Sequence, residues 1–308
     1  MRLLIGKTML PARTSVSRSA CCAQMTIAAT LLAGMPNSVY AAATDWVGNA
    51  HATARLITAV TATGSDFRID AGLEIKMAPG WHAYWRTPGD AGFAPAIDWK
   101  QSLNVAQAKI AWPAPTRLSI EGLETYVYPD HVLLPVVVTL SDPGHPLVLR
   151  AFVDYAACQE ICVPYHADLD LALPSGVAAA SEEAPLIAAA RDKVPRSLEL
   201  AGMTLLALSA APMGENDVVM TIRLRTSGPQ FRKPDVFIEG LRHGHAGPPA
   251  STISEKDHVV DLVVKISENT AAALAAAPLS FTVTIGSESA VEFVATPGEA
   301  TKANGKSH

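Results

Sequence analysis

Charge of one sign gathers nowhere in this chain: its 24 lysines and arginines form no run longer than the pair Arg232-Lys233. Without such a run the sequence lacks the electrostatic footprint by which proteins hold nucleic acid or an anionic membrane surface. After residue 43 no apolar stretch approaches the ~20 residues needed to span a bilayer, although mean hydropathy is mildly positive. Methionine is scattered there, at Met77, Met203, Met213 and Met220, which argues against a methionine-rich copper site. Cysteine is scarcest in effect. Of four, Cys21 and Cys22 fall in the first 41 residues, leaving Cys158 and Cys162 alone in the body of the chain.

The first 41 residues read as an address. They hold Arg2, Lys7, Arg13 and Arg18 and no acidic residue, then an apolar run from Ala20 to Met35, then the small residues around Ala41-Ala42-Ala43. That order describes a secretory signal peptide cleaved after Ala41 or Ala43. A retained membrane anchor is the competing reading, and Gly34 and Pro36 cut the run too short for it. No leucine stands three residues before Cys21 or Cys22, so a lipoprotein signal is absent. Cleavage takes four cations from 24 basic residues and leaves 20 against 29 acidic ones, a net charge of −9. The expected product is an exported protein long enough to bury two cores.

The body of the chain is written in short β segments. Strands are expected at 54–62, 67–77, 81–85, 109–112, 132–140, 147–155 and 166–173, separated by Pro79-Gly80, Thr87-Pro88-Gly89-Asp90, Pro129-Asp130 and Ser141-Asp142-Pro143-Gly144. The stretch Ala167-Asp168-Leu169-Asp170-Leu171-Ala172-Leu173 alternates as a strand with one buried face should. Ser181-Glu182-Glu183 then opens a helix to about Asp192, with Ser181 as N-cap and Pro195 closing it. A looser β block follows at 203–210, 217–225, 235–239, 258–266, 279–285 and 290–294, with Asn269 capping a short helix to Ala276. The fold class is therefore all-β: two immunoglobulin-like sandwiches joined by a short helix. The boundaries are 1–41 for the signal peptide, 44–175 for the first sandwich, 176–198 for the helical linker, 199–295 for a smaller second sandwich and 296–308 for a disordered tail.

Cys158 and Cys162 stand four apart. On an extended strand that spacing is about 13 Å, whereas a disulfide needs Cα atoms within about 4.4–6.8 Å. If the thiols bond, the chain must leave the strand between them in a tight turn or one helical turn. Three uses compete. A structural staple is common in exported proteins, but closing so small a loop contributes only about 2 kcal/mol. A metal site would join Cys158, Cys162 and His166 on one helical face, with Cu(I) the fitting ion. Pro164 breaks that helix. Redox exchange is the third use. With Gln159 and Glu160 inside the ring and no lysine or arginine near in sequence, it calls for thiols that react when a partner docks. His243-Gly-His245, in the Gly/Pro-rich loop 240–249, is a second weak metal suggestion, read as solvent-exposed.

Leu149-Arg-Ala-Phe-Val-Asp154-Tyr155-Ala-Ala-Cys158-Gln-Glu-Ile-Cys162-Val-Pro164 resembles the cysteine-bearing end of the N-terminal periplasmic domain of the DsbD family of thiol–disulfide reductases, in particular its ScsB branch. Pro79-Gly-Trp81-His-Ala-Tyr84-Trp85-Arg86-Thr-Pro88-Gly89-Asp90-Ala-Gly92, Trp112-Pro113-Ala-Pro115 and Leu134-Pro135-Val136 resemble it too, over roughly residues 50–175. The resemblance implies a periplasmic immunoglobulin-like domain that passes reducing equivalents by disulfide exchange and needs no bound cofactor. The implied partners are thioredoxin-like periplasmic oxidoreductases and a membrane electron-transfer protein. It implies that Cys162 attacks and Cys158 resolves. A cap loop over the disulfide would correspond to 119–128, with Glu121, Glu124 and Tyr126 as shielding or proton-handling candidates, although no phenylalanine stands there. Because neither the membrane nor the thioredoxin domain of that family follows, the expectation is a stand-alone relay. The competing functions are Cu(I) handling through Cys158 and Cys162, and a non-catalytic interaction domain with a structural disulfide. Trp81 and Trp85, an even number apart, are expected in the core. Tyr155 is a candidate flank of the disulfide, and Arg86 and Asp90 a surface pair of little weight.

Overall fold

The structure is a computed structural model, and it describes residues 42–227, 231–286 and 289–298. Residues 1–41, expected to be a signal peptide, and the tail beyond 298 lie outside the described residues. In chain order the first block holds β1 (Val47–Gly48), β2 (Ala52–Thr58), β3 (Arg68–Met77), β4 (His82–Gly89), β5 (Ala96–Asp98), β6 (Val105–Ile110), β7 (Thr116–Ile120), β8 (Leu123–Pro129), β9 (His131–Leu140), β10 (Leu147–Cys158) and β11 (Cys162–Leu173). One sheet runs β1-β2-β3-β9-β6 and the other β11-β10-β4-β8-β7, with β5 beside β10. Alternation decides the faces. On β11, Ala167, Leu169, Leu171 and Leu173 are buried, while His166, Asp168 and Asp170 point out. On β4, Trp81 just before the strand, Ala83 and Trp85 enter the core, Trp85 completely.

Helix α1 (Ala184–Asp192) packs Ile187 and Ala190 against Ile57 and Leu133 of the first block. Then come β12 (Arg196–Ser197), β13 (Met203–Pro212), β14 (Asp217–Thr226), β15 (Val236–Glu239), β16 (His245–Ala246), β17 (Ala250–Ser254), β18 (Val259–Ser267), α2 (Ala271–Leu274), β19 (Leu279–Thr284) and β20 (Ala290–Ala295). They form the sheets β12-β20-β19-β15 and β13-β14-β18-β16, with β17 beside β18. Val218, Met220, Ile222 and Leu224 of β14 lie beside Val260, Leu262, Val264 and Ile266 of β18 on one sheet, and with Val236, Ile238, Phe281, Val283 and Val291 of the other sheet they form a second core. The fold is all-β, two immunoglobulin-like sandwiches with a short helix between them.

Several local expectations need correction. The segment 119–128 is a hairpin, not a loop: β7 and β8 pair from Thr116↔Val127 to Ile120↔Leu123 around Glu121 and Gly122, both at positive φ. That backbone is the tight turn a two-residue hairpin demands. Ser181 does not cap α1. Its hydroxyl donates to the Thr58 carbonyl, and Glu183 occupies the N-cap without a side-chain bond. At α2 the cap is Thr270, whose hydroxyl accepts the Ala273 N–H, while Asn269 donates to the His243 carbonyl. Of the expected tail, Gly298 donates its N–H to the Leu208 carbonyl.

The sandwiches share a packed boundary. Phe237 of β15 belongs to the first core, edge-on to Trp85 at 6.0 Å and Tyr126 at 4.9 Å between ring centres. Arg86 donates to Glu239 at 2.6 Å and Glu292 at 2.9 Å. Arg117, almost buried, donates to Asp235 at 3.0 Å and to the carbonyls of Val236 and Ala246 at 2.7 and 3.2 Å. The expected Arg86–Asp90 pair is thus replaced by bonds across the boundary, because tertiary packing offers each residue a better desolvated partner.

Candidate functional site

The two cysteines close the β10–β11 hairpin. The strands pair in register from Leu147↔Leu173 to Cys158↔Cys162, so the chain turns over the three residues 159–161. The Gln159 N–H donates to the Ile161 carbonyl at 3.0 Å. Across that last rung the Cα atoms are 4.1 Å apart and the sulfurs are bonded at 2.04 Å. A hairpin turn therefore solves the spacing problem that an extended strand could not.

Sheet order makes the two cysteines unequal. Strand β10 lies inside its sheet, with Cys158 opposite His82 of β4, whereas β11 is the last strand. Cys158 is accordingly 2 % exposed. Cys162 is exposed, and its neighbour Ile161 is 66 % exposed. Cys158 belongs to a small cluster on the outer face of the sheet with Tyr84, Val127 and Ala156, edged by Leu118. The Tyr84 hydroxyl lies 3.7 Å from the Cys162 sulfur. Burial pushes the Tyr84 phenol up, so it stays an O–H able to donate to a thiolate formed at Cys162. His82 meets the Tyr84 ring edge-on at 5.4 Å, and burial lowers its pKa below the ordinary 6.5, keeping the imidazole neutral.

The expected site residues scatter. Tyr155, three before Cys158, faces the opposite side of β10 by parity. It stacks on Tyr165 at 5.2 Å in the core, its hydroxyl buried without a hydrogen-bond partner among the described residues and its pKa raised by that burial. Tyr126 also lies in the core, under Arg117 and beside Phe237. Glu121 sits exposed in the β7–β8 turn. The Glu124 carboxylate accepts from Ser119 at 2.8 Å and from Arg117. His166 bonds Asp154 and Asp168 at 2.7 Å, four residues and so about 13 Å along the strand from Cys162. The helical face that a three-ligand metal site needed does not form. His245 is engaged with Asp90 at 2.6 Å. Sequence reasoning singles out neither His82 nor Tyr84 as a site residue. The parity of Trp81, Ala83 and Trp85 was the available signal, since it sends the even positions to the other face.

An immunoglobulin-like sandwich whose disulfide closes a hairpin, one cysteine buried and the other exposed, defines a module of thiol–disulfide interchange. Residues 54–174 match the family model described as thiol:disulfide interchange protein DsbD, N-terminal. The first sandwich belongs to that family. Residues 193–300 match a domain of unknown function, DUF8393. No curated protein matches the chain. Among solved structures, the crystal structure of the N-terminal periplasmic domain of ScsB from Proteus mirabilis is similar at a TM-score of 0.64 and 24 % identity, covering 83 % of this chain and 98 % of that one. At that identity the likeness speaks for the fold.

Proposed function

We propose that the chain is a periplasmic relay that passes reducing equivalents between partner proteins through the Cys158–Cys162 disulfide, with Cys162 as the exchanging sulfur. The observation that carries this is the unequal exposure of the two cysteines. Disulfide exchange needs in-line approach of a thiolate to one sulfur, and of the two cysteines Cys162 is the exposed residue and Cys158 the buried one. A partner thiolate attacks the Cys162 sulfur, the bond to Cys158 breaks, and Cys158 leaves as a thiolate that takes a proton. A second partner thiolate then attacks the mixed disulfide. The partner leaves oxidised, and this chain holds two thiols after uptake of two electrons and two protons. In the reverse sense Cys162 attacks the next partner's disulfide and Cys158 resolves it. Thioredoxin-like oxidoreductases fit as partners, because their dithiols undergo this chemistry and the apolar rim at Ile161 suits protein docking.

Equilibration with thioredoxin or glutathione buffers, read by thiol alkylation and mass spectrometry, tests the reading. A potential above about −300 mV is expected, and one far below it marks an inert staple. Cys158→Ser is expected to accumulate mixed disulfides with a thioredoxin-like protein, and Cys162→Ser to form none. The reverse pattern overturns the assignment.

A further inference from the structure

The second sandwich reaches the redox site through one short loop. Strand β4 ends at Gly89, where a Cβ would stand 2.3 Å from the Glu124 carbonyl oxygen, so the chain is drawn tightly onto β8. Asp90 follows with three bonds. Its N–H donates to the Glu124 carbonyl, one carboxylate oxygen accepts the Glu124 N–H, both at 2.8 Å, and the other accepts from His245 of the second sandwich at 2.6 Å. Two residues on, Gly92 lays its backbone on the Tyr84 ring, where a Cβ would come within 2.1 Å of a ring carbon. Tyr84 in turn packs on Cys158 and holds its hydroxyl 3.7 Å from the Cys162 sulfur. Contacts therefore run without a gap from the second sandwich to the disulfide.

His245 is firmly presented. Gly244 before it has φ +86, and a Cβ there would lie 2.0 Å from the Ser267 carbonyl oxygen, so the backbone is pressed against β18. His245 itself pairs with Ser267. A carboxylate only accepts, so the nitrogen facing Asp90 carries the hydrogen. The other nitrogen lies 3.9 Å from Glu268. The Asp90 side chain is only 10 % exposed, which keeps the charge-assisted bond from being diluted by water.

We propose that the second sandwich sets access to the Cys158–Cys162 disulfide, with His245 as the positioning residue that holds the 90–95 loop closed on Tyr84. The functional sense of this rests on the redox reading above. The contact itself can be tested without any partner protein. The rate at which dithiothreitol reduces the disulfide in the full chain, followed by alkylation and mass spectrometry, is compared for wild type, His245→Ala and His245→Asn. Hydrogen exchange is followed in parallel over 90–96 and 259–267.

His245→Ala is expected to speed reduction roughly three- to tenfold, the factor that loss of one hydrogen bond brings to a local opening. Exchange should rise at 91–94 and stay unchanged in β18. His245→Asn keeps a donor near the same place and is expected to restore the wild-type rate, an outcome a merely structural role would not give. Unchanged reduction and loop exchange in His245→Ala, or faster exchange spread through β18, overturns the proposal. A wild-type disulfide that dithiothreitol reduces but thioredoxin-like proteins do not would sink the relay reading and leave the loop result standing.

Discussion

At strand β4 a single residue step separates core from chemistry. Trp81, Ala83 and Trp85 face inward, while His82 and Tyr84 turn to the outer face beside the disulfide. Parity made this legible in principle. What the sequence did not carry was which strand would lie alongside Cys158. His82 gives a pH test. Burial holds its pKa below the ordinary 6.5. As pH falls through that value the unfolded chain takes up a proton that the folded His82 refuses, so stability drops until the folded pKa is passed. His82→Phe keeps the ring and removes the titration. Thermal melts from about pH 7.5 to about pH 5 should show a smaller loss in the variant than in wild type. Parallel curves would place the acid sensitivity elsewhere.

The β10–β11 hairpin shows why the disulfide is not there to hold an element together. Twelve paired positions already fix its register, from Leu147↔Leu173 to Cys158↔Cys162. Closing so small a loop removes little entropy from the unfolded chain. Reduction is therefore expected to lower unfolding free energy by no more than about 2 kcal/mol and to leave the β circular-dichroism spectrum unchanged. Denaturant titrations of oxidised and reduced protein measure this, and unfolding on reduction would restore the staple reading. Among the elements that sequence reasoning did not place is the β7–β8 hairpin. The family resemblance makes 119–128 a cap loop, but the segment belongs to a hairpin whose Arg117 is buried against Asp235, Val236 and Ala246 of the second sandwich. No local pattern announces a partner 118 residues away.

Over the whole molecule the two sandwiches behave as parts of one packed body, because Phe237 of the second completes the first core between Trp85 and Tyr126. Phe237→Ala is expected to cost about 3–5 kcal/mol, the usual loss for an aromatic deleted from a core. All five tryptophans, Trp46, Trp81, Trp85, Trp99 and Trp112, lie in the first sandwich. Tryptophan fluorescence should nonetheless register this second-sandwich change, with its unfolding midpoint shifting together with that of far-ultraviolet circular dichroism. An unmoved fluorescence midpoint would mean that the cores are energetically separate.

By itself the sequence determined the all-β class, the two blocks and the cysteine pair, since alternation, turn residues and spacing are local properties. It also set the limit that Cys158 and Cys162 could bond only across a turn. Only the tertiary structure decided which cysteine is exposed, which follows from β10 lying inside its sheet and β11 at its edge. It alone put His82 and Tyr84 beside the pair and tied Asp90 to His245, because those neighbours come from strands and domains far apart in the chain.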